Sequence, residues 1–371
     1  MKLQRHGLVV ALAAAGAILL AACGSDPNAG GSGAGGTSSA NSPAVDCNGK
    51  ASLTAEGSSA QKNAMDVFAQ AYQAKCSSSK IAYNPTGSGA GVKQFTAGLV
   101  DFGGSDSALS STETGPAATR CQSNPAWNLP LVFGPVAIAY KVAGADALTL
   151  NGEVAAKIFN GHIKTWNDPA IAALNNGVSL PATPINVVFR SDDSGTTDNF
   201  QKYLQASSNG AWTQDAGKKF VGGVGSGAQG SAGVAQAIAA TEGSIGYVEL
   251  SFAQDNKLGM AKIDSGSGAV ELTDANVGKA IAGVTVTGQG NDLTLDLTKT
   301  YAQPPAGSYP LFLATYEIVC SKGYDAATAT AVKSFLTVAA TDGQANLAAA
   351  GYAPLPAEFQ QKLLTAIQAI A

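Results

Sequence analysis

The sequence predicts an α/β sandwich built on a largely parallel sheet, and three observations carry that expectation. Apolar, β-rich runs alternate with helically periodic segments from about residue 51 onward. Two of the runs, 131–140 and 310–319, are continuously apolar, as strands buried on both faces are. Several strands also end in Gly/Ser/Thr clusters that open a helix. A chain of 371 residues is too long for one small core and natural for two lobes.

The first residues read as a targeting segment. Lys2 and Arg5 supply charge, and the apolar stretch from Leu8 to Leu20 is too short to span a bilayer. Leu20-Ala21-Ala22-Cys23 matches a lipobox, the cleavage site at which a bacterial lipoprotein keeps and acylates its cysteine. Residues 1–22 are thus expected to be a signal peptide and Cys23 the lipidated residue, against the plainer reading of a secretory signal with a stray cysteine. Residues 23–45 are Gly/Ser/Ala-rich and cannot form a core. They are expected to form a tether with a coil span of roughly 25 Å, enough to let a globular body move over a membrane face.

Beyond the tether, Ala51-Ser52-Leu53-Thr54 reads as a strand, and Glu56-Gly57-Ser58-Ser59-Ala60 as the turn opening a helix with Met65, Phe68, Ala69 and Tyr72 on one face. Thr86-Gly87-Ser88-Gly89-Ala90-Gly91 repeats the device before Val92 and Phe95. In the third case, Val187-Val188-Phe189-Arg190 ends in Ser191-Asp192-Asp193-Ser194-Gly195-Thr196-Thr197, and Phe200, Tyr203 and Leu204 recur at helical spacing. A forked cation, hydroxyls and unpaired helix N–H groups together suit a tetrahedral oxyanion. Each junction alone is equally an ordinary capped helix, because Ser and Gly are common caps. Gly225-Ser226-Gly227-Ala228-Gln229-Gly230 fits a dinucleotide fingerprint, with Glu249 about 20 positions on, yet its preceding strand is poor; a Gly-rich turn allowing close helix packing is the expectation.

Composition narrows the classes. The chain has 22 basic and 26 acidic residues and no basic run, which argues against nucleic acid as a partner. Local dipoles and one arginine in a dehydrated site outweigh a screened, distant net charge. Besides Cys23, the four cysteines Cys47, Cys76, Cys121 and Cys320 suggest two disulfides outside the cytoplasm, with three possible connectivities. No CxxC occurs, so neither a metal nor a cofactor is expected. A serine hydrolase would need a base, and beyond the targeting segment only His162 is available.

With Asp101-Phe102-Gly103-Gly104-Ser105-Asp106-Ser107, Ser244-Ile245-Gly246-Tyr247-Val248-Glu249 and Gly351-Tyr352-Ala353-Pro354-Leu355-Pro356 added to these junctions, the chain resembles the PstS phosphate-binding proteins of ABC-type phosphate importers, in their lipid-anchored, actinobacterial form. The likeness runs from about residue 51 to the C-terminus. It implies a two-lobed periplasmic-binding-protein-like fold of class II, each lobe a mixed or parallel sheet flanked by helices, with ligand in the cleft. Lobe one would comprise 46–135 and 306–371, and lobe two 136–305. The two long apolar strands would mark the crossings.

Carried over residue by residue, the resemblance implies phosphate contacts from Ser58, Ser59, the Ala60 amide, Ser88, Asp106, Arg190, Ser194, the Gly195 amide and Thr196. The family often has an aromatic residue at the position of Ala60, which leaves the local packing open. Asp192 is expected to steer the Arg190 guanidinium. Asp106 would accept a proton that phosphate retains near neutral pH and sulfate lacks. The resemblance also implies permease subunits as partners, a membrane reached through the lipid, the extracytoplasmic face of the cell membrane as location, and a monomer. With the lobes so divided, the expected disulfides are Cys47–Cys76, a short local bridge, and Cys121–Cys320 within lobe one. A secreted phosphoester hydrolase and a binder of another tetrahedral oxyanion are the rival functions.

Overall fold

One long strand belongs to two groups of neighbours and organises everything else. The structure, a computed structural model, describes residues 43–145 and 147–371; the expected signal peptide, Cys23 and most of the tether lie outside the described residues. The chain lays down β1 (Ser52–Gly57), α1 (Lys62–Lys75), β2 (Lys80–Asn84), α2 (Ser88–Thr96) and β3 (Phe102–Ser105). β1 pairs in parallel with β2 and β3, the arrangement that helical crossovers produce. On α1 the buried face is Ala64, Met65, Phe68 and Tyr72. α3 (Ser111–Arg120) starts at a Ser110/Glu113 capping box and leads into β4 (Ala126–Lys141), buried without a break from residue 128 to 140.

β5 (Thr149–Leu150), α4 (Gly152–Phe159) and α5 (Pro169–Leu174) precede a second βαβ series: β6 (Asn186–Arg190), α6 (Gly195–Ser207), β7 (Ser226–Ala228), α7 (Gly230–Ala240) and β8 (Ser244–Glu249). Smaller pieces follow, namely α8 (Leu250–Asp255), β9 (Gly259–Met260), β10 (Lys262–Asp264), β11 (Ala269–Val270) and α9 (Asp274–Ile281). After β12 (Thr285–Val286), β13 (Leu295–Asp296) and α10 (Thr298–Ala302), the chain returns through β14 (Phe312–Cys320). α11 (Ala326–Ala340) and α12 (Ala357–Gln368) close it.

The main sheet runs β2-β1-β3-β14-β4-β8-β6-β7, with β9 also on β4. Residues 126–135 of β4 pair antiparallel with β14, and residues 136–141 pair antiparallel with β8. The outer strands are parallel, as expected, whereas β14 is antiparallel to both β3 and β4. Continuous apolarity reports burial on both faces and says nothing of direction, so the sequence could not separate these cases.

Aromatic residues fill the core on either side of β4. Tyr72, Phe102 and Phe335 stack or meet edge-on in one place, and Phe159, Phe200, Phe220 and Tyr247 in another. Each such side chain contributes about 1.5–3 kcal/mol on burial. Disulfides join Cys47 to Cys76 and Cys121 to Cys320. Among the described residues no helix is long and apolar enough to cross a membrane.

Candidate anion-binding site

Four helix starts, rather than the three legible in the sequence, converge where the two strand groups meet. β1 ends at Gly57 and turns through Ser58, Ser59 and Ala60 into α1; the Ala60 amide donates to Ser58 Oγ at 3.0 Å. Ser88 is the first residue of α2, Asp106 follows β3 directly, and Arg190 ends β6. Ser194 caps α6 by accepting from the Thr197 amide, which leaves Gly195 and Thr196 in the first turn. The fourth start is α7, whose Ser231 amide and hydroxyl both meet Ser59 Oγ, at 3.0 and 2.9 Å.

These residues touch one another. Ser88 Oγ accepts from the Gly195 and Asp106 amides, each at 3.1 Å, and donates to Asp106 Oδ2 at 3.1 Å. Arg190 donates through Nη1 to Thr196 Oγ1 at 3.3 Å and to Ser231 Oγ at 3.2 Å. The rest of its guanidinium is held by Asp192, Nε to Oδ1 at 2.8 Å and Nη2 to Oδ2. Asp192 Oδ1 also accepts from the Gly230 amide at 3.0 Å, so one carboxylate aims the arginine and pins the start of α7. The structure thus brings together and buries nearly completely Ser58, Ser59, Ala60, Ser88, Asp106, Arg190, Ser194, Gly195 and Thr196, with half-buried Asp192 behind Arg190.

Two glycines permit the close approach. Gly87 has φ +111°, and a Cβ there would strike Asp192 Oδ2. A Cβ on Gly195 would lie 2.6 Å from both Asp106 Cβ and Ser88 Oγ.

The electrostatics centre on carboxylates in a dehydrated space. Burial pushes Asp106 up to about 6; the Ser58 and Thr315 hydroxyls hold it down, Glu249 pushes it further up, and Arg190 draws it back. Burial also opposes the charge on Asp192, yet its paired contacts with Arg190 win and hold it below the usual carboxylate value. The cluster presents hydroxyls, helix N–H groups and one guanidinium, with the Asp106 carboxylate among them.

Several residues of the site escaped the sequence reading. Ser231 belongs to the Gly-rich stretch 225–230 and its continuation; that stretch forms edge strand β7 and the start of α7, not a dinucleotide site. Thr315 donates to Asp106 Oδ1 at 2.7 Å from β14, and Asn199 Nδ2 donates to the Asp106 carbonyl at 2.7 Å. Tyr247 and Glu249, from the Ser244–Glu249 motif, support the site from behind: the Tyr247 hydroxyl accepts from the Arg190 amide, and Glu249 Oε1 accepts from Thr196 at 2.6 Å. Tyr352, in the closing motif, donates to the Ala60 carbonyl at 2.7 Å and accounts for the packing beside that alanine. His162 is exposed, hydrogen-bonded to Asn160, and has no bond to any of these residues.

Comparisons with known proteins show which family the chain is similar to. A PBP superfamily domain matches residues 28–342. Phosphate-binding protein PstS 3 of Mycobacterium tuberculosis is 52% identical over 373 residues, covering all of both chains. Phosphate-binding protein PstS of Xylella fastidiosa is 33% identical over 290 residues, 76% of each chain. Among solved structures, a high-affinity periplasmic phosphate-binding protein (PfluDING) bound with phosphate is similar at TM-score 0.68 and 26% identity, covering 85% of this chain and 93% of that one. A putative phosphate ABC transporter substrate-binding protein from Clostridium perfringens shares the fold at TM-score 0.59 and 20% identity, covering 82% of this chain and 100% of that one.

Proposed function

We propose that this chain, which belongs to the PstS family of phosphate-binding proteins, captures inorganic phosphate outside the cytoplasmic membrane and delivers it to the permease of an ABC importer. The observation that carries the reading is the pairing of one buried guanidinium with one buried acceptor, Arg190 and Asp106, inside a ring of four helix starts. Arg190 and the helix dipoles supply positive potential, and the hydroxyls of Ser58, Ser59, Ser88, Ser194 and Thr196 with the Ala60 and Gly195 amides become donors to the ligand as it displaces the bonds they make to one another, to Asp106 and to Glu249. Asp106 accepts the proton that phosphate retains, and presents repulsion to sulfate.

The chain is read as two lobes, 46–135 with 306–371 and 136–305. Support comes from β4, whose partner changes from Phe312 of β14 at Pro135 to Glu249 of β8 at Val136. On that reading the Ser88–Gly195, Ser59–Ser231 and Gly89–Asp193 hydrogen bonds all cross the cleft. Ligand that touches both sides favours the closed form, since only that form makes both sets of contacts. Cys23 is the proposed lipid anchor, residues 23–45 the tether, and the working unit a monomer at the extracytoplasmic face of the membrane.

Calorimetric titration of the purified protein with phosphate and with sulfate tests the function. One phosphate per chain is expected, with sulfate at least about 100-fold weaker, a difference of about 2.7 kcal/mol. Absence of phosphate binding, or equal binding of the two anions, overturns the assignment. The hydrolase alternative predicts sustained phosphate release from a model ester. It lacks support in the arrangement, where Ser88 and Ser194 are bonded to Asp106 and to helix amides and to no histidine.

A further inference from the structure

One more buried acid lies close to Asp106 and takes no part in the contacts described so far. Glu317 sits on β14 two residues after Thr315, on the same face of the strand, and is paired across to Gly104 of β3. It is fully buried, and neither carboxyl oxygen has a hydrogen-bond partner. Its neighbour Gln61, also fully buried, has an unpartnered Oε1. Buried acceptors that face no donor are rare, because each costs about 1–3 kcal/mol.

The orientation of Gln61 is set by its other partner. The Tyr83 hydroxyl spends its one proton on the Ser58 carbonyl, at 2.7 Å, so it can only accept from Gln61, and Gln61 Nε2 lies 3.0 Å away. Gln61 therefore cannot turn its oxygen toward Tyr83, and the orphaned Oε1 needs a donor from elsewhere. A proton on Glu317 supplies one, turning two acceptors into a donor and an acceptor.

We propose that Glu317 is a positioning residue for the anion site. As a neutral acid it hydrogen-bonds Gln61, which through Tyr83 fixes the Ser58 carbonyl and so the donor turn that opens α1. Ionisation of Glu317 removes that bond and places a negative charge below the incoming anion. Burial pushes its carboxyl up to about 8 and the charge of Asp106 after β3 adds to that, both favouring the neutral form, while the side chain of Gln61 just before α1 opposes them without prevailing. Tyr83 from β2 is raised well above its ordinary value by its own burial and by Glu317, so it stays a neutral hydroxyl beside the acid. Phosphate binding is thereby coupled to a proton held outside the ligand's own contacts. The inference rests on the phosphate reading of the site.

The test is phosphate affinity measured from about pH 6.5 to about pH 9.5 for the wild-type protein and Glu317→Gln, which keeps the shape and cannot ionise. Taking the ratio of the two dissociation constants cancels phosphate's own titration, and Asp106, raised to about 6, is already largely ionised across that range. The ratio is expected to shift at least about 10-fold in favour of the variant across that range, the effect of one pKa unit of coupling. A flat ratio overturns the role of Glu317 while leaving the phosphate assignment intact; failure of the wild-type protein to bind phosphate at any pH overturns both. Infrared titration of the wild-type protein keeps the proposal exposed even if Glu317→Gln does not fold. It should show a protonated carboxyl that ionises at about pH 8, and absence of such a band refutes the neutral acid.

Discussion

Replacing Asp106 by Asn should make the empty protein more stable and the binder less discriminating, and the first effect can be sized from the site. Asp106 is fully buried, so no solvent discount applies, and its carboxyl is raised from 3.8 to about 6. A raised acid is the reverse of the usual stabilising carboxylate. Its charge costs nothing below pH 3.8, costs progressively more as pH rises, and reaches its full cost above about pH 6. At about 1.36 kcal/mol per unit, that full cost is about 3 kcal/mol. Asn carries no such charge and can keep the local bonds. Ser88 Oγ already accepts from two amides, so its hydroxyl must donate, and the Asn oxygen belongs on that side. The amide nitrogen then faces Thr315, whose hydroxyl can turn to accept. Urea unfolding of phosphate-free protein should therefore show Asp106→Asn more stable by about 2–3 kcal/mol at about pH 7.5 and about equal at about pH 4. Calorimetry on the same samples should show the phosphate-to-sulfate affinity ratio falling by about 10-fold or more, because the amide can offer N–H to an unprotonated oxygen. Equal stability at both pH values would falsify the burial cost. An unchanged anion ratio would show that Asp106 does not read the ligand's proton.

Arg190→Ala should weaken phosphate and sulfate together, leaving their ratio near the wild-type value in titrations of both. It should also cost about 3–5 kcal/mol in unfolding experiments, because Asp192 stays buried with its charge unpaired. Removing the Cys121–Cys320 bridge, which closes a separation of 199 residues, should cost about 5 kcal/mol on the chain-entropy scale, against about 4 kcal/mol for Cys47–Cys76 with its separation of 29; paired Cys→Ser variants compared by urea midpoints check the order. Cys23→Ala should release the protein from the membrane or leave its precursor uncut, which fractionation and mass measurement of the N-terminus decide.

The junctions of β1, β2 and β6 with their helices could be read from the sequence because capping chemistry and apolar period act over a few residues. That is why Ser58, Ser88 and Arg190 stood out. Thr315, Ser231 and Glu317 did not, since each reaches the site through a strand pairing or a helix placement set by residues far away. Ser231 follows a glycine-rich stretch whose local pattern fitted other turns equally well. Glu317 interrupts a run otherwise read as plain core, and an ionisable residue inside a doubly buried strand was the one available sign that something unusual sat there. The antiparallel direction of β14 was illegible for the same reason, because direction is a property of pairing and leaves no periodic mark in the strand itself.

The pairing of β14 between β3 and β4 also fixes when the binding site can come into existence. Asp106 receives one of its hydrogen bonds from Thr315, 209 residues later in the chain, and Cys121 waits for Cys320. Loops of that length close slowly, so the N-terminal third must remain without its central neighbour until the last strands have emerged. A nascent chain is therefore kept from premature completion by its own topology, which suits a polypeptide that must be threaded across a membrane before it folds. The same delay leaves β3 and β4 with open, apolar edges during that interval, making this stretch the place where a covering chaperone or rapid oxidation of Cys121 with Cys320 would matter most to yield.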